Sequence, residues 1–300
     1  MKILTSKDFV FSNLKKENIS ENILSEISTN FLEKIVRDIS YPRHYTEEFE
    51  SNKKARNYIV EELKKNSWNV KLHDYCDNII ATLPPSENLS NSSRIIGATH
   101  YDSVPNCPGA DDNGSGIAVL LAASKVLPKM NLKVNPTLIF FNQEEDGLLG
   151  SFEFVKNNKK QLRETVKSVH VMEMVGYTSN KQLTPKGFPV SIGNVGDFLG
   201  IVSNNKSNIE LLNLLKKNAI YCPNLLSKGI YLSEGFERVF QDVIRSDHYP
   251  FWLEKIPALM WTDTSNFRNF NYHKSTDTSE TLDYGFMHEV TKLFVSLFIE

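Results

Sequence analysis

The chain has 300 residues, 40% of them hydrophobic and 23% charged, with 34 Lys and Arg against 36 Asp and Glu for a formal net charge of -2. This is ample apolar material for a large buried core, and the charge is too evenly balanced to support nucleic-acid or anionic-membrane binding. The three cysteines, Cys76, Cys107 and Cys222, are odd in number and far apart, which fits reduced thiols rather than a disulfide framework.

At the start of the chain, MKILTSKDFVFSNLKK loses its apolar run at Thr5, so it has no leader-peptide core, and a cytoplasmic location is expected. No stretch approaches the roughly 18 apolar residues of a membrane helix. Ile23, Ile27, Phe31, Ile35 and Ile39 recur at four-residue steps and predict an amphipathic helix over about 19–39, stopped by Pro42. A second helix is expected over about 50–66, then a strand pair in WNVKLHDYCDNIIATL and a polar loop over 84–93.

Four short apolar runs follow that read as buried strands: RIIGAT before His100, PTLIFF before Asn142, VHVM before Glu173 and IPALMWT before Asp263. IAVLLAASKVL, between the first two, reads as a helix. The alternation predicts one α/β domain over residues 1–300, with a mixed, mostly parallel central sheet and helices on both faces. Residues 178–240 carry one helical run, around ELLNLLKK, but otherwise no strong period, and are expected to be a long insertion covering the site.

Ligands of such sheets bind beyond the carboxyl ends of the strands, and each of the four runs ends near a group able to bind metal. Singly these groups are weak signals: His100 suits a core histidine, Asp111 and Asp112 suit a helix cap, Glu144 and Glu145 suit a solvated surface, and His273 lies in a polar loop. Glu173 interrupts an apolar run, where a carboxylate needs a cationic partner. Together, two imidazoles and three carboxylates converging on one crevice suit Zn²⁺, with Mn²⁺ or Co²⁺ as alternatives. Five ligands, one of them bridging, suit a pair of divalent ions.

The segments His100-Tyr-Asp102-Ser, Pro108-Gly-Ala-Asp111-Asp112-Asn-Gly-Ser-Gly116, Glu144-Glu145-Asp-Gly-Leu-Leu-Gly-Ser151, Glu173-Met-Val-Gly-Tyr177, Ser246-Asp247-His248 and Asn271-Tyr272-His273 resemble, in order, those of the M28 zinc peptidases. The resemblance implies a zinc-exopeptidase fold and an aminopeptidase acting on short peptides. It implies that Asp111 bridges two zinc ions, with His100 and Glu173 on one side and Glu145 and His273 on the other. Glu144 would be the general base, Tyr272 would stabilise the oxyanion, and Asp102 would orient His100. Asp112 would support the turn, and Asp247 and His248 would stand behind the ligands. Many members have aspartate where this chain has Glu173, which leaves a single-zinc centre as the alternative.

Three other functions compete. A single-zinc glutaminyl cyclase of the same fold is disfavoured by GADDNGSG and by Tyr272, and a non-catalytic binding module by the complete ligand set. A serine hydrolase using Ser115 lacks the G-x-S-x-G elbow, because Asn113 stands at the first glycine position. Arg268 is a candidate for clamping a substrate carboxylate, or for a structural ion pair.

Overall fold

The computed structural model describes residues 1–9, 21–73, 75–84, 89 and 93–299. The loop expected over 84–93 falls mostly outside them. The chain begins with the short strand β1 (Lys2–Thr5) and continues into α1 (Glu21–Leu24) and α2 (Thr29–Ile39). The single helix expected over 19–39 is therefore two. The first stops at Leu24, and Ser28, in extended geometry, accepts the Phe31 amide at 3.1 Å as N-cap of the second. Helix α3 (Phe49–Lys65) leads into the antiparallel pair β2 (Asn69–Leu72) and β3 (Ile79–Thr82).

The four apolar runs become β4 (Arg94–His100), β5 (Asn135–Phe141), β6 (Val166–Met172) and β9 (Ala258–Thr262), with α4 (Gly116–Val126) and α5 (Leu149–Thr165) as crossovers. They lie side by side and parallel in the order β5-β4-β6-β9, which aligns their carboxyl ends. Residues 178–240 differ from expectation. On either side of the expected helical run, which is α6 (Asn208–Tyr221), they contain β7 (Phe198–Ser203) and β8 (Leu226–Tyr231), and both strands join the main sheet. The sheet has nine strands, ordered β1-β8-β7-β9-β6-β4-β5-β3-β2. It is parallel at its centre and antiparallel where β7 meets β9, β1 meets β8 and β3 meets β5.

The sheet separates two cores because alternate residues of a strand face opposite sides. Leu138 and Phe140 of β5 pack into one cluster with Leu120, Val290 and Phe294, while Ile139 and Phe141 pack into the other with Phe154 and Phe251. Helices α2, α4, α6 and α8 (Tyr284–Ser296) cover the first face, and α5 and α7 (Tyr249–Leu253) the second. Each fully buried Leu, Ile or Phe in these layers contributes about 1.5–3 kcal/mol. The result is a rigid platform from which the loops at the carboxyl edge project.

Candidate active site

His100 is the last residue of β4, and Glu144, Glu145 and Glu173 follow β5 and β6 within a few residues. Asp112 lies in the tight turn that enters α4, and His273 in the loop after β9. The structure brings all six together. His100 Nε2 lies 3.2 Å from Asp112 Oδ1, 3.7 Å from Glu173 Oε2 and 4.0 Å from Glu144 Oε2. His273 Nε2 lies 3.1 Å from Asp112 Oδ2 and 3.3 Å from Glu145 Oε2.

Asp112 thus presents one carboxylate oxygen to each histidine, and it occupies the shared position that was expected of Asp111. Asp111 turns the other way: its Oδ1 accepts the Gly176 amide at 3.0 Å and its Oδ2 accepts Asn269 Nδ2 at 2.7 Å, all within the protein interior. The cause is local. Two adjacent side chains in a turn point in different directions, and the Asp277 carboxylate, accepting the amides of Asp111 and Asp112 at 3.0 and 3.1 Å, holds the turn so that the second one faces the cleft.

Two three-residue sets, His100/Asp112/Glu173 and Asp112/Glu145/His273, each bring their ligand atoms within 4.8 Å of one another and have Asp112 in common. Glu173 reaches its set despite the longer side chain, and Ser246 Oγ, donating at 2.7 Å to Glu173 Oε2, holds it there. Asp102 backs His100 and the Glu144–Glu145 pair. Its Oδ1 lies 3.4 Å from His100 Nδ1, and its two oxygens accept the amides of Glu144 and Glu145 at 3.2 Å.

The electrostatics of the cluster favour cations. Burial would keep His100 neutral, yet Glu144, Asp102, Asp112 and Glu173 raise its proton affinity well above that of a free imidazole. Burial likewise opposes a charge on His273, but hydrogen bonds to Asp112 and Glu145 push it up to about 10. Burial, with the nearby Asp112, pushes Glu145 up to about 7. Burial lifts Glu144 well above the carboxylate range, with His100 pulling it down and Glu173 and Glu145 pushing it further up. A buried set that has to hold protons to stay together is one that divalent cations satisfy by displacing them. Four of its atoms, His100 Nδ1 and Nε2, Asp112 Oδ1 and Glu145 Oε1, are buried and make no hydrogen bond. Imidazole nitrogens beside carboxylate oxygens are the donor types zinc takes.

Tyr272 stacks on His273 with ring centroids 3.7 Å apart, and its hydroxyl accepts from Arg245 Nη2 at 2.8 Å. Burial, and Asp112 nearby, hold the phenol in its protonated form. Beside Tyr272 and Glu173 opens a cavity of about 90 Å³ whose walls include Phe188, Ile192, Val202, Phe240, Val243 and Met260. Part of the 178–240 stretch therefore walls the site, while the rest extends the sheet.

Arg268 is fully buried. It donates to Gln182 Oε1 at 2.9 Å and to the Tyr177 carbonyl at 3.2 Å, and lies over Phe198 at 4.5 Å, so it is a structural group and no carboxylate clamp. His248 donates to the Val243 carbonyl at 2.8 Å and packs on Trp252, away from the cleft. Sequence reasoning missed Ser246 as the support of Glu173 and Asp277 as the support of the turn. The only available signal was that both are polar residues in segments that also carry site groups.

The model of Peptidase family M28 matches residues 78–298. A probable leucine aminopeptidase of Arthroderma otae is 31% identical over 224 residues, 70% of this chain and 52% of that protein. The solved structure of the LapA aminopeptidase of Legionella pneumophila covers 97% of this chain and 77% of its own, with a TM-score of 0.71 at 20% identity. BSAP, a zinc aminopeptidase from Bacillus subtilis, covers 73% of this chain and 48% of its own, with a TM-score of 0.54 at 25% identity.

Proposed function

The chain belongs to peptidase family M28, and from that premise we propose that it is a zinc-dependent aminopeptidase that removes apolar N-terminal residues from short peptides. The observation that carries this reading is the pair of ligand sets sharing Asp112, with Glu144 left over beside them. His100 and Glu173 would hold one zinc ion, Glu145 and His273 the other, and Asp112 both. When bound, the ions supply Lewis acidity, which lowers the pKa of water in the cleft and polarises a peptide carbonyl.

The remaining steps belong to side chains. Glu144, buried beside His100 and outside both sets that share Asp112, takes a proton from the attacking water and returns it to the leaving amine. Tyr272, whose oxygen already accepts from Arg245, has its own proton to donate to the carbonyl oxygen as negative charge develops there. The Asp102 carboxylate, 3.4 Å from His100 Nδ1, electrostatically favours a proton on that nitrogen and so leaves Nε2 to the cleft. The apolar cavity next to Glu173 receives the side chain of the N-terminal residue.

The test is a panel of aminoacyl-p-nitroanilides and N-terminal glutaminyl peptides, assayed before and after chelation and zinc replenishment. Zinc-dependent release of apolar N-terminal residues is expected. Conversion of glutaminyl peptides to pyroglutamyl products without bond cleavage would replace the peptidase by a cyclase.

A further inference from the structure

Arg43 is fully buried, yet among the described residues it has no carboxylate within ion-pair distance. Its hydrogen bonds go instead to backbone carbonyls. Nε donates to Tyr101 O at 2.7 Å, Nη1 to Pro108 O at 2.5 Å and Ile39 O at 3.2 Å, and Nη2 to Gly109 O at 2.8 Å, while its own amide donates to Ser103 Oγ at 3.1 Å. Burying a guanidinium is expensive unless its donors are satisfied, so so complete a set of partners points to a specific task. Apart from Ile39 at the end of α2, these partners lie at the two ends of the segment that joins His100 to Asp112.

The far end of this segment is fitted closely to the guanidinium. Gly109 has φ +59, and a Cβ there would meet Asp112 O at 2.3 Å and both Arg43 Nη atoms at 3.0 Å. On the other side, Asp277 accepts the amides of Asp111 and Asp112, and its carbonyl accepts the Ala110 amide at 3.2 Å. The turn is thereby gripped between a cation that binds carbonyls and an anion that binds amides. Lysine offers no equivalent, because its single nitrogen lacks the planar fork that reaches three carbonyls at once.

We propose that Arg43 is a positioning residue of the metal centre: by tying Tyr101, Pro108 and Gly109 to one rigid guanidinium, it sets the separation of His100 and Asp112 before any ion binds. This rests on the assignment of His100 and Asp112 as ligands, and the experiment separates the two claims. Chelator-stripped wild type, Arg43→Lys and Arg43→Gln are titrated with Co²⁺ and followed by visible absorption, with circular dichroism as the folding check. The variants are expected to bind Co²⁺ about 10–100-fold more weakly, as when other supports of metal ligands are removed, with a changed spectrum. At saturating metal, kcat should fall while KM changes little, and Arg43→Lys should not rescue.

Folded variants that bind Co²⁺ with wild-type affinity and spectrum would overturn the role of Arg43 alone. Wild type that takes up no Co²⁺ would remove the ligand assignment beneath it. A measurement on wild type stands even where a variant does not fold. Amide hydrogen exchange over residues 101–112 should be equally slow in the stripped and zinc-loaded protein, and protection that arises only with zinc would overturn the proposal.

Discussion

Asp111 and Asp112 are adjacent, identical in type and both buried, yet only Asp112 faces the two histidines. Nothing in the residue types separates them, because the outcome depends on backbone dihedrals in a turn held by Arg43, which bonds Gly109 across 66 positions, and by Asp277, which bonds Asp111 across 166. Asp112→Asn should therefore strip bound zinc from the chain, whereas Asp111→Asn, which keeps an acceptor for the Gly176 amide, loses the one for Asn269 and leaves both ligand sets intact, should retain it. Metal analysis of the two purified variants checks this. Glu144→Gln should bind zinc normally and lose about 10²–10⁴-fold in kcat, the typical contribution of a general acid-base group. Full turnover in that variant would remove Glu144 as the base. Removing the hydroxyl in Ser246→Ala should weaken zinc binding by about 10–100-fold through loss of its bond to Glu173.

At the scale of elements, the four central strands were legible because each is a continuous apolar run that a buried parallel strand requires. The strands β7 and β8 were not. FLGIVS and LSKGIY are short, each carries a glycine, and they are set among polar turns. Gly229 of β8 owes its place to packing: a Cβ there would lie 2.7 Å from Leu211 of α6, a long-range contact invisible to periodicity. The same two strands floor the cavity beside Glu173, through Val202 and Ile230. Filling it with Val202→Phe should raise KM for a leucyl substrate by about 10–200-fold, the range that one or two methylenes command in an apolar pocket. An alanyl substrate, which needs less of the cavity, should be affected less. Equal losses for both would show that the pocket does not receive the N-terminal side chain.

Over the whole molecule, stability and metal content are linked but separable. His170 and His248 lie behind the site and outside the ligand sets. Burial, with Lys167 adding to it at His170, lowers their proton affinities to about 3 and about 4. The unfolded chain therefore binds more protons than the folded one between these values and the ordinary imidazole range, so stability rises with pH there. That contribution, opposed in the metal-free protein by carboxylates such as Glu145 that burial raises, should fall in thermal melts as pH drops from about 6.5 towards 4. His248→Gln, which retains a donor for the Val243 carbonyl, should reduce that slope. No helix among the described residues is long and apolar enough to cross a membrane. The central claim is that two zinc ions share Asp112 in a peptidase site, and its most direct test is stepwise zinc titration of chelator-stripped protein, with leucyl-p-nitroanilide hydrolysis recorded at each addition. The predicted result is negligible activity in the stripped protein and recovery that is complete at two tightly bound ions per chain. Full activity in the stripped protein, or saturation with zinc that restores none, would contradict it.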